Sequence, residues 1–135
     1  MSTRAIVALA LSLCSFPAQA GPLDGTFRGR YTCDKGVTAA TATFIIDQAN
    51  RVRLYEVSYT APGGPAIPAN VIDYQGTYNP STRTFYLPTI RWLVRPTGWR
   101  TGAVTGSVSA DGRQVTYNWS GLGCTAFVGS RLNAR

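Results

Sequence analysis

The 135 residues contain no histidine. That absence removes Ser-His-Asp and Cys-His nucleophilic catalysis and every zinc site built on imidazole. Proton transfer would fall to carboxylates, and there are six: Asp24, Asp34, Asp47, Glu56, Asp73 and Asp111. Asp47 and Asp111 stand in turn-forming contexts, where an Asx side chain serves its own backbone. Asp24 lies near the start of the folded part, and Asp34 follows a cysteine at a strand end. Glu56 and Asp73 remain, both within strands that could be neighbours. A glycosidase needs two carboxyls facing one cleft, about 5–10 Å apart. Pairing with a nearby arginine is the commoner fate of an acid in a strand. No D-x-D-x-D-G calcium loop and no phosphate-cradling glycine run followed by a helix is found. The residues therefore assign no catalytic group, no metal site and no cofactor.

Arginine interleaved with aromatic residues is the feature suited to binding. One instance is Arg51, Arg53, Tyr55 and Tyr59 along one face of a strand, and the other runs from Arg91 to Arg100, with Arg95, Trp99 and Arg100 in a loop context. Aromatic faces stack on sugar rings, and guanidinium forks hold carboxylate or phosphate through two hydrogen bonds. Trp92, flanked by Ile90, Leu93 and Val94, is expected in the core instead.

The segments that must position these residues begin with an export signal. Arg4 is followed by the uncharged run Ala5 to Leu13, a break at Phe16-Pro17 and an A-x-A site at Ala18 to Ala20, the three parts of a cleavable signal peptide over residues 1–20. Nine apolar residues are too few to span a bilayer, which takes roughly 20, and no later segment reads as a transmembrane helix. Residues 21–135 are the size of one domain. They hold two cysteines, Cys33 and Cys124, and no histidine to complete a metal site with them. An even pair in an oxidising compartment is a disulfide, here closing nearly the whole domain. The formal net charge of the whole chain is +7, which favours anionic partners: an anionic glycan, a lipid or an acidic protein surface. Export argues against nucleic acid, and the expected location is periplasmic or secreted.

After Ala20 no helical periodicity appears, while strand-like alternation and turn residues recur. Strands are expected at Thr26 to Cys33, Thr38 to Asp47, Arg51 to Thr60, Val71 to Tyr78, Arg83 to Leu87, Ile90 to Val94, Gly102 to Ser109, Val115 to Trp119 and Cys124 to Leu132. In the third, Arg51, Arg53, Tyr55, Val57 and Tyr59 share one face, and Val52, Leu54, Glu56 and Ser58 the other. Ala61 to Asn70, with three prolines and two glycines, is a loop, and Asp111-Gly112 marks a hairpin. About eight short strands in one meander predict an all-β domain, a small antiparallel barrel or sandwich, because closing the sheet removes its edges.

Two resemblances follow from these residues. Gly29 to Cys33 (G-x-Y-x-C), Gly76-Thr77-Tyr78-Asn79-Pro80, Trp92 with Arg95 to Trp99, and Gly123 to Phe127 together resemble uncharacterised small disulfide-bracketed β domains of exported bacterial proteins. This implies a fold and an exported location. Tyr31-Thr32-Cys33-Asp34-Lys35-Gly36 is similar to the start of periplasmic C-type lysozyme inhibitors, which are disulfide-linked β-barrels. That family's Ser-Gly-x-x-Tyr loop is not matched, Gly76-Thr77-Tyr78 standing nearest to it. The function expected is a non-enzymatic binding or interaction module contacting an anionic envelope component or a protein partner. The alternative is an inhibitor or immunity-type protein acting on a cell-wall hydrolase such as a lysozyme, through Ala61 to Asn70 or Pro96 to Arg100.

Overall fold

A computed structural model describes residues 22–132; the expected signal peptide lies outside them. Eight strands follow one another: β1 (Gly25–Cys33), β2 (Gly36–Ile46), β3 (Arg51–Thr60), β4 (Val71–Asn79), β5 (Thr84–Val94), β6 (Val104–Val108), β7 (Gln114–Trp119) and β8 (Phe127–Arg131). Each pairs antiparallel with the next, and β8 returns to β1, so the sheet closes into an up-and-down barrel. The barrel, among the expected alternatives, is the outcome. Among the described residues no helix is long and apolar enough to cross a membrane.

The barrel has two unlike ends because its connections alternate between short and long. At the base, three tight turns rely on side chains that bond their own backbone. Asp47 Oδ1 accepts the N–H groups of Ala49 and Arg51 (2.8 and 2.9 Å), Asn79 Oδ1 that of Ser81 (2.9 Å), and Asp111 Oδ1 that of Arg113 (3.0 Å). Asn50 and Gly112, in left-handed backbone with φ of 61° and 73°, complete two of these turns. Leu23, fully buried, covers the base from inside. The Arg131 guanidinium lies 4.6 Å from the Phe27 ring and donates to the carbonyls of Pro22, Asp24 and Gly112. At the opposite end only the β1–β2 turn is tight, and three longer loops, 61–70, 95–103 and 120–126, stand around the opening.

Period-two alternation sends one side of every strand inward. Phe27, Phe44, Phe85, Tyr117 and Phe127 fill the lower interior with edge-on and tilted ring contacts, such as Phe44 to Phe85 at 5.2 Å and Tyr117 to Phe127 at 4.8 Å. Small residues make room for these rings, as small-to-large alternation does in narrow barrels. A Cβ on Gly106 would lie 2.7 Å from Phe85 Cζ, and one on Gly129 2.6 Å from Phe127 Cε2.

Two details differ from the sequence-based expectation. The expected fifth and sixth strands are one, β5, bent by a register shift opposite Gln75 and Thr77. Pro88 fits there because β6 pairs only with Thr84 to Leu87. Residues 88–94 thus run beside β4 alone, on an edge where a missing N–H breaks no ladder bond. Cys124 lies in the loop before β8, not in the strand itself.

The β1–β8 ladder covers only Phe27 to Arg30. Above it the seam is continued by Thr125 N–H to Thr32 O and Thr32 N–H to Thr125 Oγ1, both 2.8 Å, and by the Cys33–Cys124 disulfide, which spans 91 residues. Cross-linking a loop of that size is worth about 4–5 kcal/mol on the chain-entropy model. Replacing both cysteines by serine is expected to lower the urea unfolding free energy by about that amount. An unchanged urea midpoint would show that the ladder alone holds the seam.

Candidate functional site

Polarity inside the barrel rises toward the open end. Along β3 the inward side chains are Val52, Leu54, Glu56 and Ser58, in order from base to mouth, and all four are buried. On β1 the inward series is Phe27, Gly29 and Tyr31, and on β7 it is Val115, Tyr117 and Trp119. The upper interior therefore gathers hydroxyls, an indole and one carboxyl above an apolar floor. Together with the loops they enclose an open cavity of about 590 Å³, lined inside by Tyr31, Thr38, Glu56, Ser58, Thr101 and Trp119. The rim carries Asp34, Lys35, Trp99, Arg100, apolar residues of loop 61–70, and the disulfide. Cavities of a few hundred Å³ in a barrel mouth are of the size that takes a small ligand.

Glu56, the only glutamate of the chain, is 2% exposed. Tyr117 Oη donates to its Oε2 at 2.5 Å and Tyr74 Oη to its Oε1 at 3.4 Å. Tyr74 Oη also lies 2.5 Å from Thr101 Oγ1, and Tyr31 Oη 2.8 Å from Ser58 Oγ. Burial pushes the Glu56 carboxyl up to about 7, the two tyrosine hydroxyls opposing the shift. Burial, with the neighbouring Glu56 charge second, pushes the Tyr31 phenol up to about 12 and raises Tyr74 and Tyr117 as well. Trp119 Nε1 is buried without a hydrogen bond of acceptable geometry, although its nearness to Tyr74 favours the ionised form of that hydroxyl.

Asp73 has the opposite surroundings. It is paired across the ladder with Tyr55, while Glu56 is paired with Ile72, so the two acids occupy neighbouring strands but opposite faces of the wall. They cannot flank one bond. Asp73, fully buried, lies under Arg53 (Nε to Oδ1, 3.4 Å) and Arg91 (Nη2 to Oδ2, 3.5 Å), with Gln75 Nε2 3.2 Å from Oδ2. The arginine partner expected for a strand acid is therefore found for Asp73. For Glu56 that expectation is corrected, because the residue faces the interior, where its partners are phenols.

The arginine–aromatic residues separate into two places. Arg51, Arg53, Tyr55 and Tyr59 lie on the outer wall of β3. There Arg51 is bound to Asp47 at 3.2 Å, and the Arg53 guanidinium lies 5.7 Å from the Tyr55 ring. Arg95 holds its own loop: its Nε and Nη2 donate to Trp99 O at 3.1 and 2.9 Å, and its guanidinium lies 5.4 Å from the Trp92 ring. Trp92, expected in the core, is half-buried and packs against the core without being part of it. Trp99 and Arg100 are at the mouth, where they join Glu56, weighed in the sequence only as half of a carboxylate pair with Asp73, and Lys35, Tyr31, Ser58, Thr101 and Trp119, which the sequence did not mark as site residues. The alternation of β3 does place Glu56 on the apolar side, and that was the available signal.

Among the described residues no group of three or more metal-ligating side chains is found. No protein-family model matches the chain, and no curated protein is similar enough in sequence to count as a relative. Fold and geometry place it in the class of closed eight-stranded up-and-down barrels with a cavity at one end.

The Glu56 environment has a consequence for stability. Its folded-state carboxyl titrates near 7, against an ordinary value of 4.5, so between those limits the folded chain binds more protons than the unfolded chain. Stability from this residue is full below pH 4.5 and is lost as pH rises through 7, by about 3 kcal/mol. Asp47 and Asp111, held low chiefly by backbone N–H donors from Arg51 and Arg113, act with the opposite sign at more acidic pH. Chemical denaturation from pH 5 to 8 is expected to show the decline in the wild type and a flattened profile in Glu56→Gln. A decline of equal size in the variant would assign it elsewhere.

Proposed function

We propose that the chain is an exported, non-enzymatic binding protein whose barrel mouth receives the anionic end of a glycan. The observation that carries this reading is the union, in one cavity, of a rim on which two cations (Lys35, Arg100) outnumber one acid (Asp34) with an interior of aromatic rings and hydroxyls. Arginine and lysine at the exposed rim attract carboxylate or phosphate, while Trp99 and Tyr31 offer faces to a sugar ring and Ser58 and Thr101 offer hydroxyls. A lipid acyl chain fits less well, because it would desolvate Glu56, Ser58 and Thr101 without bonding them. Export is supported by the signal-like first 20 residues and by the disulfide. The placement of loops 61–70 and 95–103 at the same end, beside the exposed Leu93 and Val94, favours a second reading, in which these loops block a cell-wall hydrolase.

Titration of tryptophan fluorescence with short uronic-acid oligosaccharides tests the first reading. Binding is expected to weaken roughly tenfold between low and high salt. Arg100→Ala and Lys35→Ala should each cost several-fold, while Arg51→Ala on the outer wall should cost nothing. Equal losses from Arg51→Ala and Arg100→Ala would place binding outside the mouth. Stoichiometric inhibition of a muramidase in the absence of any glycan binding would select the second reading.

A further inference from the structure

We infer that the inner part of the mouth is a subsite for an ammonium group seated on the Glu56 carboxylate, so that the ligand carries an amine leading inward and an anionic group trailing at Arg100 and Lys35. The inference rests on the reading of the mouth as a glycan-binding site and specifies its ligand as an amino sugar bearing an acid group.

The two buried strand acids show what Glu56 lacks. Asp73 has two guanidinium groups at 3.4 and 3.5 Å. Glu56, almost as fully buried, has no cationic group within 4 Å among the described residues. Its donors are two phenols, one at 3.4 Å, whereas a carboxylate has about four lone-pair sites. Acceptor capacity therefore remains for a further donor from the cavity that Glu56 lines.

The interior cannot supply that cation. The side chains that surround the carboxyl there include Tyr31 from β1, Thr38 from β2, Ser58 from β3, Ile72 and Tyr74 from β4, Tyr117 and Trp119 from β7, and Thr101 and Leu122 from the loops, none of them cationic. They do suit one. The Tyr31 and Trp119 rings are 4.7 Å apart and the Tyr117 and Trp119 rings 5.4 Å apart, and electron-rich ring faces stabilise a desolvated cation. Charge along the barrel axis is thus negative inside, at Glu56, and on balance positive at the rim, where Lys35 and Arg100 stand against the single acid Asp34, the complement of an amine-first, acid-last ligand. An entering ammonium would offset the burial cost of the carboxylate, which the phenols offset only in part. A proton serves the carboxyl in the same way, in keeping with its raised proton affinity.

Calorimetry of the disulfide-intact protein with glucosamine 6-phosphate and glucose 6-phosphate isolates the amine, since the two differ only by an ammonium in place of a hydroxyl. The amino sugar is expected to bind roughly ten- to a hundredfold more tightly at pH 7, and Glu56→Gln should bring the ratio toward one. At pH 6, in buffers of different ionisation enthalpy, the amino sugar should release about one proton more per site than glucose 6-phosphate does. This readout needs no variant, should Glu56→Gln fail to fold. Equal affinities in the wild type, a ratio that survives in Glu56→Gln, or equal proton release would overturn the subsite. If glucose 6-phosphate binds as well as the amino sugar, the mouth stands as an anion site and the amine subsite falls. If the uronic-acid oligosaccharides also fail to bind, both fall.

Discussion

Closure of the sheet between its first and last strands is the constraint from which the rest follows. An open eight-stranded meander would leave β1 and β8 as bare edges and its inward aromatic rings in water. Closed, it surrounds those rings on all sides. Yet the closing ladder is short, Phe27 to Arg30 against Val128 to Arg131, compared with the nine residue pairs that join β1 to β2. The seam is therefore reinforced beyond its ladder, by Arg131 at one end and by Thr125 and the disulfide at the other.

Those reinforcements also divide the barrel into a sealed half and an open one. Below, tight turns, Leu23 and the Arg131 clamp exclude water, and the side chains are apolar. Above, the loops are long, and the same strands that contribute Leu54 and Val115 below contribute Glu56 and Trp119 one or two pleats further on. A carboxyl with no cationic neighbour is tolerated there because phenols from β4 and β7 reach it and because it lines an open cavity. A polar interior confined to one end is the pattern of a receptacle, and a core optimised for stability alone would have placed a leucine at position 56.

How much of this could be read from residues alone depends on the range of the interactions. The two faces of β3 were legible because alternation is local, as were the hairpin at Asp111-Gly112 and the loop at Ala61 to Asn70. The bend that fuses Thr84 to Val94 into one strand was not, since Pro88 reads as a break until β6 is seen to end before it. The pairing of Cys33 with Cys124 was legible from their number and the absence of other ligands. The site was legible only in part. Trp99 and Arg100 stood out by composition, but Glu56 takes its hydrogen bonds from Tyr74 and Tyr117, 18 and 61 residues away. No local pattern announces those partners. The general tendency of strand acids to pair with arginine described Asp73 and misdescribed Glu56.

The seam has one further consequence. Its two terminal fasteners belong to different chemistries, sulfur at the mouth and a guanidinium with three carbonyls at the base, and they respond to different surroundings. A thiol reductant acts on the first alone, so loss of the covalent link loosens the lips of the vessel while its bottom stays shut. Fraying is therefore directional, beginning at the mouth, where the loops are longest and the closing ladder has already ended.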